Sequence, residues 1–527
     1  MYRPLSLVLS LALVAAFACQ PPAERDTGLM WPEPPAAPRD RLLVLCADQL
    51  TQAAEDYAAY RAATGWDVEL VPMVALASGG ASLRDAVGAR IVRAHKELPE
   101  GLELTVLIIG DASEDEPESG TQVPLSVGPL GYLSDTGHVD MDGDGVPDLA
   151  TGRLPFDDPE QVRRYLDRVE RYESGYQPGA WNRKVGLFTG EGGFGDVIDG
   201  VLEFVAGQVV EQLSYDFDFE VTTNIPGSAY YLPEDAWHEE FVRQYNQGLA
   251  YQPYLGHTVG SVLVDRLDEP GRRGLMAFYS CSDGAIQDVD GPSASLSEQL
   301  LDHPDGPMAV VGATAVSHPY GNAVLAREMS LGVLNERVDS YGALLRQAKD
   351  DMVYGADEFR EQLDVAASVF IDGLPEIITS HVSMYMLLGD PCLSPMLPPG
   401  RVLLDDPEQA LTRGERATVT GLVSADRDGL PFEGTVLVTL EVMRSTIIHE
   451  LNEVDDQCSD LEACLENRTL ANDHLLASVQ GPVQRGRFEL DLEIPEDLPD
   501  SDIYYLRALA WDDVDDATGF IEAHVPF

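Results

Sequence analysis

The chain has 527 residues, 44% of them hydrophobic, and its 34 basic and 90 acidic side chains give a formal net charge of −56. This hydrophobic content is enough for packed cores in about three domains of ordinary size, which excludes an intrinsically disordered chain. The negative charge is therefore a property of the folded surface. It excludes nucleic acid as a favourable partner, because the phosphates would be repelled.

The amino terminus has the form of a targeting segment. Arg3 precedes an apolar run over residues 5–17, which is too short to cross a bilayer and is typical of a signal peptide. The small residues that end at Cys19 fit either an ordinary cleavage site or a lipobox whose cysteine becomes lipidated. We favour the lipobox and predict an exported protein, either an outer-membrane or cell-surface lipoprotein or a secreted one. The proline-rich residues 20–40 predict a tether.

Strands and helices alternate over the next part of the chain. Short apolar runs predict buried strands, and apolar residues at helical spacing predict the helices between them. The predicted strands are 41–47, 67–74 and 104–109, and the predicted helices are 51–64, 83–98 and one that begins at Asp158. Such alternation is typical of a parallel sheet with helices on both faces.

A second alternating set contains two strands that end on reactive side chains. It begins with a strand at 185–188 and a helix at about 197–213. The apolar run 252–256 is followed by His257, and the run 275–280 is followed by Cys281. Because open α/β sheets place their ligands at the carboxyl ends of parallel strands, we expect the imidazole and the thiol to lie side by side.

A cysteine beside a histidine is the pairing that a thiol nucleophile and its base require. Taken singly, a lone cysteine is usually a small core residue and a lone histidine is usually structural. Together, Cys281 and His257 predict acyl transfer: the thiolate attacks a peptide carbonyl, and the imidazole protonates the leaving amine. The expected oxyanion donors are the backbone N–H groups of Cys281 and Thr258, and this chemistry requires no cofactor.

Several short motifs occur in the order found in a known family. The two strand ends read Gly256-His257-Thr258 and Ser280-Cys281-Ser282-Asp283-Gly284. Further matches are the segments 107–111, 143–148, 151–155, 295–301, 310–314 and 388–391. Over residues 40–395 the chain resembles the gingipain-type cysteine peptidases of family C25, whose catalytic domain has a caspase-like fold. Thr258 departs from the pattern, because the family usually has glycine there.

The resemblance implies roles for three acidic residues. Glu191 follows the strand 185–188 and matches the acid that the family places beside its histidine, where it would orient the imidazole. Asp196 and Asp199 lie in the region of the family's specificity aspartate and could bind a basic substrate side chain. Their spacing differs from the family's, and a solvated helix start, where acids suit the helix dipole, remains the alternative.

An acidic loop carries carboxylates at alternate positions. Its four aspartates surround the turn residue Gly145 and are Asp140, Asp142, Asp144 and Asp148. Carboxylates in such a pattern are ligands for a hard cation, so the loop predicts a structural Ca²⁺ site, and calcium binding is also common in the resembled family. The loop lacks the bidentate glutamate of an EF-hand, and a solvated acidic turn is the alternative.

The last part of the chain changes to two-residue alternation. The predicted strands are 417–423, 434–441, 486–494, 503–511 and 520–525, a pattern typical of an immunoglobulin-like β-sandwich. Cys458 and Cys464 lie in an acidic insertion between these strands. Since an exported protein meets an oxidising compartment, we predict a local disulfide between them.

The predicted fold class is α/β: a caspase-like parallel sheet with flanking helices in two subdomains, followed by a C-terminal immunoglobulin-like β-sandwich. The predicted segments are 1–19 (signal peptide), 20–40 (tether), 41–178 and 179–399 (the two subdomains, the second catalytic) and 400–527 (sandwich). The predicted function is a cysteine endopeptidase that acts on polypeptides and contacts a membrane only through its lipid anchor. The alternative is an inactive or surface-assembly (sortase-like) relative that uses the fold for binding or anchoring.

Overall fold

The structure is a computed structural model. It describes residues 40–525 except 78–80, 115–116, 118, 191–206, 208, 259–260, 269–272, 288–293, 406–410, 425–430 and 502. Within these residues, no helix combines the length and the apolar character that crossing a membrane requires.

One sheet of ten strands runs through the first three quarters of the described chain. Its strands, in chain order, are β1 (Arg41–Cys46), β2 (Asp67–Pro72), β3 (Leu104–Ile109), β8 (Ala150–Leu154), β9 (Lys184–Thr189), β10 (Asp218–Thr223), β11 (Leu249–Leu255), β12 (Arg273–Tyr279), β13 (Ala309–Ala313) and β14 (Tyr385–Gly389). The spatial order is β10-β9-β11-β12-β13-β14-β8-β3-β1-β2. Two small sheets lie in the connection to β8: β4 (Asp111–Ser113) with β5 (Gln122–Pro124), and β6 (Ser126–Val127) with β7 (Leu133–Ser134).

The ten strands form two parallel halves that run in opposite directions. β13 and β14 are antiparallel, with Val311 opposite Leu387, whereas the other neighbouring pairs are parallel. The two predicted α/β sets therefore join in one continuous sheet, which is not parallel throughout. The carboxyl ends of β9 to β13 lie at one edge of the sheet, and those of β1, β3 and β8 lie at the other.

Ten described helices accompany these strands. They are α1 (Thr51–Ala63), α2 (Leu83–Glu97), α3 (Pro159–Ser174), α4 (Glu234–Gln247), α5 (Leu296–Asp302), α6 (Pro319–Leu331), α7 (Tyr341–Tyr354), α8 (Glu358–Ser368), α9 (Leu374–Met384) and α10 (Leu461–Ala471). The predicted start of α3 is confirmed, because Asp158 and Gln161 form a capping box with Pro159 in the first turn.

Both faces of the sheet are buried. Along β12, Leu275 and Tyr279 pack into the main hydrophobic core, while Phe278 packs into a second cluster. Val324 of α6 belongs to the main core, and Phe241 of α4 belongs to the second cluster. This arrangement explains why the strands appear in the sequence as continuous apolar runs, because a strand covered on both faces has no solvent side.

The C-terminal part forms a second sheet of seven strands. They are β15 (Gly400–Leu404), β16 (Arg416–Ser424), β17 (Gly434–Val442), β18 (Leu475–Val483), β19 (Arg487–Glu493), β20 (Tyr504–Trp511) and β21 (Asp516–Ala523), in the order β18-β17-β20-β21-β15-β16-β19. The two end strands, β18 and β19, contact each other, so the sheet folds over its own core and is nearly closed. This arrangement is compatible with the predicted sandwich, and the predicted fold class is confirmed.

The insertion between β17 and β18 docks onto the first sheet. It contains α10 and the disulfide Cys458–Cys464, whose cysteines pack into the second cluster beside α4. Arg468 of α10 forms ion pairs with Glu220 of β10 and Glu240 of α4. The insertion therefore attaches the sandwich to the half of the sheet that carries His257 and Cys281.

Candidate active site

The register of two neighbouring strands brings His257 and Cys281 together. β11 and β12 are parallel, and Leu255 pairs with Tyr279. His257 and Cys281 each lie two residues beyond that pair, so they occupy equivalent positions on strands about 4.8 Å apart. His257 is exposed and Cys281 is half-buried, and both line the same cavity. The structure thus brings the two predicted residues into one site.

Tyr254 positions the backbone of His257. Its hydroxyl donates a hydrogen bond of 2.6 Å to the carbonyl oxygen of His257. The ring approaches two glycines so closely that a Cβ on either Gly190 or Gly256 would lie 2.4 Å from the tyrosine oxygen. The glycine before the histidine is therefore required by packing, since any side chain there would displace Tyr254.

The loop that carries Cys281 is held against β13. Ser282 has a left-handed φ of 59°, and its N–H donates to the carbonyl oxygen of Ala315 at 3.0 Å. A Cβ on Gly284 would lie 2.8 Å from the backbone of Gly312, so only glycine fits there. This contact explains the glycine three residues after the cysteine.

A hydrogen-bonded chain of one half-buried and two buried side chains leads to the thiol. The Cys281 Sγ lies 3.7 Å from the carbonyl oxygen and 3.8 Å from the Oγ of Ser317. That hydroxyl accepts a bond of 2.9 Å from Asn322, whose side-chain oxygen accepts one of 2.8 Å from Tyr385. Neither Ser317 nor Asn322 was predicted from the sequence. The available signal was that Ser317 lies four residues after the next parallel strand, β13, at the same edge of the sheet as Cys281.

A second histidine lies behind this chain and is neutral. Burial lowers the pKa of His381 to about 4. Its Nδ1 lies 2.8 Å from the carbonyl oxygen of Ile377, while the N–H of His318 donates to Nε2 at 3.0 Å. Its Nε2 also lies 3.1 Å from the Oδ1 of Asn322, so buried groups contact both ring nitrogens. His381 is therefore a structural group and not a second base.

Asp283 is a buried carboxyl two residues from the thiol. It is only 1% exposed, and burial raises its pKa to about 6. The Ser280 hydroxyl donates to one carboxyl oxygen, and the N–H of Ser297 donates to the backbone carbonyl of Asp283 at 3.0 Å. These bonds connect the Cys281 loop to the start of α5. Ser295 and Glu298 form a capping box at the start of that helix.

The predicted oxyanion donors lie on adjacent loops. The Thr258 hydroxyl donates to the carbonyl oxygen of Cys281, which attaches the histidine loop to the cysteine loop. Among the residues that the structure describes, no acceptor is found for the backbone N–H of Thr258 or Cys281. The threonine that departs from the family pattern thus adds a bond between the loops and keeps its N–H.

A cavity of about 250 Å³ opens on the candidate pair. One wall comes from β9, β10 and β11, with side chains such as Leu187, Val221 and Leu255. Another part of the lining comes from the insertion between β17 and β18 and includes Arg444 and Ile447. Concave, mostly apolar space beside paired reactive side chains is the usual form of a substrate site.

The family model that matches this chain is described as peptidase family C25. It matches residues 36–396, which is more than half of the chain. The chain belongs to peptidase family C25. The family and the fold support a cysteine peptidase, and a peptidase implies polypeptide substrates. The resemblance inferred from the motifs is therefore confirmed.

Solved structures with the same fold support this placement in family C25. The Arg-specific cysteine proteinase gingipain R (RgpB) is 15% identical over 93% of this chain and 98% of its own, with a TM-score of 0.51. The complex of the pro- and mature domains of RgpB from Porphyromonas gingivalis is 14% identical over 92% and 100%, with a TM-score of 0.50. A structure described only as a protease has a TM-score of 0.52 at 13% identity over 92% and 97%. Comparison with curated protein sequences finds no match.

Two of the segments that match family motifs each contain a residue that forms a buried ion pair. Arg153, in the segment 151–155, is fully buried and forms a two-point ion pair with Asp135 at 2.8 and 2.7 Å. Asp390, in the segment 388–391, is also fully buried and accepts from Arg61 Nε at 2.7 Å and from Tyr57. These motifs stabilise the half of the sheet that lacks the cysteine.

The acidic loop of this family member brings three of its four aspartates together. Carboxylate oxygens of Asp140, Asp142 and Asp148 all lie within 4.8 Å of one another. Asp144 instead accepts a hydrogen bond from the Tyr354 hydroxyl, which lowers the pKa of that carboxyl. Three carboxylates on one turn suit a hard cation such as Ca²⁺.

Four of the predicted functional residues lie outside the described residues. They are Cys19, Glu191, Asp196 and Asp199. Their predicted roles in lipidation, imidazole orientation and substrate binding therefore stay predictions. Cys458 and Cys464 are joined as predicted in a disulfide with a Cα–Cα distance of 6.2 Å.

Proposed function

We propose that this C25 chain is a cysteine endopeptidase with Cys281 as nucleophile and His257 as general base and acid. The observation that carries the proposal is their equivalent placement on paired strands at the mouth of one cavity. His257 takes the thiol proton, and the thiolate sulfur then forms a bond to the carbonyl carbon of a peptide. The C–N bond breaks as His257 gives its proton to the leaving amine. Water then hydrolyses the acyl-enzyme.

The proposed oxyanion site consists of the backbone N–H groups of Cys281 and Thr258. Both lie on loops that the Thr258 hydroxyl connects, so the two donors are held in place before substrate binds. Preorganised donors of this kind stabilise the charge that develops on the carbonyl oxygen without a cost of reorganisation. We assign Glu191 to orienting His257, and this role rests on the family motif alone.

The test of the proposed function is hydrolysis of a fluorogenic peptide library by the full chain. Turnover that requires Cys281 supports an endopeptidase. A chain that hydrolyses no peptide and whose Cys281 resists peptide-based electrophiles would instead favour an inactive, binding or surface-assembly relative.

We propose that the mature chain is anchored to a membrane through a lipid on Cys19. The support is the position of this cysteine directly after the small residues that end an apolar signal segment. The Cys19→Ser variant is expected to move from the membrane fraction to the soluble exported fraction, because the lipidated residue is lost. Immunoblots of the two fractions measure this shift. An identical distribution for the variant and the parent would leave a plain signal peptide.

We also propose that Asp140, Asp142 and Asp148 hold a structural Ca²⁺. Their clustered oxygens repel one another unless a cation neutralises them. Ligand that binds only the native state adds about 2.7 kcal/mol of stability at a hundredfold excess over Kd. Millimolar calcium is therefore expected to raise the Tm, and Mg²⁺ should replace it poorly because it demands a tighter octahedral shell.

Two double variants distinguish calcium binding at this loop from general screening of the negative surface by the added cation. Asp142→Ala with Asp148→Ala should remove most of the calcium-dependent rise in Tm. Glu496→Ala with Asp497→Ala removes the same charge from exposed positions elsewhere and should keep the rise. A Tm that changes with neither calcium nor a chelator would identify the loop as a solvated acidic turn.

A further inference from the structure

The cavity beside Cys281 has an apolar lining. Its described walls contain Leu187, Val210, Phe219, Val221, Leu255 and Ile447. No carboxylate lines it among the residues that the structure describes. An apolar cavity of about 150 Å³ holds a benzene molecule. At about 250 Å³, this cavity has room for one large aliphatic or aromatic side chain.

The charged residue in the wall is a cation. Arg444 is 7% exposed, and its guanidinium donates to the carbonyl oxygens of Val210 at 2.9 Å and Ser214 at 2.8 Å. It also lies over the rings of Tyr215 and Phe219, at 4.0 and 4.5 Å from their centroids. Its direct bonds are to carbonyl groups, and no carboxylate forms an ion pair with it among the described residues, although the charges of Glu441 and Glu211 act on it from further away. A second cation entering this cavity would be repelled and would leave water without compensation.

The wall from the insertion between β17 and β18 is bonded to the first sheet. Asn472 accepts from the N–H of Val221 at 2.7 Å and donates to its carbonyl oxygen at 3.0 Å, so it pairs with the edge strand β10 as another strand would. Burial lowers the pKa of the neighbouring His474, which favours its neutral form. These bonds hold the insertion against β10 at one side of the cavity.

We propose that this cavity is the primary specificity pocket and accepts a large apolar side chain at the substrate residue before the scissile bond. The inference rests on the proposed function, because it takes Cys281 as the nucleophile. It assigns the insertion between β17 and β18, through Arg444 and Ile447, to selecting the substrate. The preference differs in class from the Arg specificity in the description of gingipain R.

Matched fluorogenic peptides that differ only in this residue test the proposal. With the full chain, kcat/KM for Leu or Phe should exceed that for Arg or Lys by about tenfold or more. A preference for Arg or Lys would overturn the inference while leaving the peptidase function intact. It would mean that an acid such as Asp196 or Asp199 reaches the pocket.

Binding to the Cys281→Ala chain separates the two proposals. Peptide amides with Leu or Phe should bind more tightly than their Arg counterparts, whether or not the parent chain shows turnover. Preferred binding without turnover would support the pocket and count against the peptidase. No binding of either peptide, or tighter binding of the Arg peptide, would overturn the pocket.

A negative charge placed in the insertion between β17 and β18 tests whether this insertion selects the substrate. Ile447 is 39% exposed, so Ile447→Asp should add a carboxylate to the cavity with little effect on folding. The ratio of Arg to Leu cleavage should rise by about fivefold or more. Leu403→Asp makes the same kind of change at another exposed aliphatic side chain, on β15 of the sandwich. Leu403 does not line the cavity, so the ratio of Arg to Leu cleavage should stay unchanged. Equal ratios in the two variants would overturn the role of the wall.

Discussion

Replacing Cys281 with alanine is expected to lower kcat for peptide hydrolysis by about 10⁴-fold or more, because the bond-forming atom is lost. His257→Ala should have an effect of similar size, because the proposed mechanism uses this imidazole to take the thiol proton and to protonate the leaving amine. The thiol has only weak contacts, at 3.7 and 3.8 Å, so the Tm of Cys281→Ala should stay close to that of the parent.

Cys46→Ala provides a matched control. This thiol is fully buried on β1, and burial raises its pKa to about 11, so it is protonated at neutral pH and cannot act as a nucleophile. Its removal should leave kcat/KM unchanged, and an electrophilic probe should modify Cys281 before Cys46 in the native protein. Retained turnover in Cys281→Ala, or lost turnover in a folded Cys46→Ala, would contradict the assignment.

The Asp390→Ala variant is expected to lose about 3–5 kcal/mol of unfolding free energy. The carboxylate is fully buried. It accepts hydrogen bonds from the guanidinium of Arg61, the hydroxyl of Tyr57 and the N–H of Cys392. Alanine would leave these donors buried without their acceptor, and the loss comes mainly from that desolvation. Urea unfolding followed by tryptophan fluorescence, with Cys281→Ala as the parent to prevent self-cleavage, measures the change.

Asp67→Ala removes a comparable ion pair from the surface of the same half of the sheet. Asp67 pairs with Arg41 at 2.8 Å, but its side chain is 51% exposed, so water compensates for the loss. The expected cost is at most about 1 kcal/mol. Similar losses for Asp67→Ala and Asp390→Ala would contradict the view that this family motif acts through a buried ion pair.

Local sequence patterns were sufficient for the reactive residues and for many of the elements, but the strands β10, β15 and β18 were not predicted. The predicted strand 104–109 agrees with β3 (Leu104–Ile109), and His257 and Cys281 follow β11 and β12 as expected. Such features can be predicted from the chain because a strand buried on both faces is a short apolar run, and glycine marks its end.

The reversal between β13 and β14 was not predictable from local pattern. Four helices, α6 to α9, separate these strands, and a connection of that length allows either direction. Val311 and Leu387 are equally apolar in a parallel or an antiparallel pair. The direction is decided by how the intervening helices pack, which is a property of the whole domain.

The active site also combines features that the local sequence predicts with features that depend on distant parts of the chain. The identities of His257 and Cys281 could be inferred from the strand ends on which they lie. Their register, and the wall that Arg444 and Ile447 add to the cavity, depend on contacts between segments far apart in the chain. Strand pairing and domain docking arise from many weak contacts summed over distant residues. A sequence motif can therefore predict the reactive residues. The shape and charge of the surface that selects a substrate are decided by the tertiary structure.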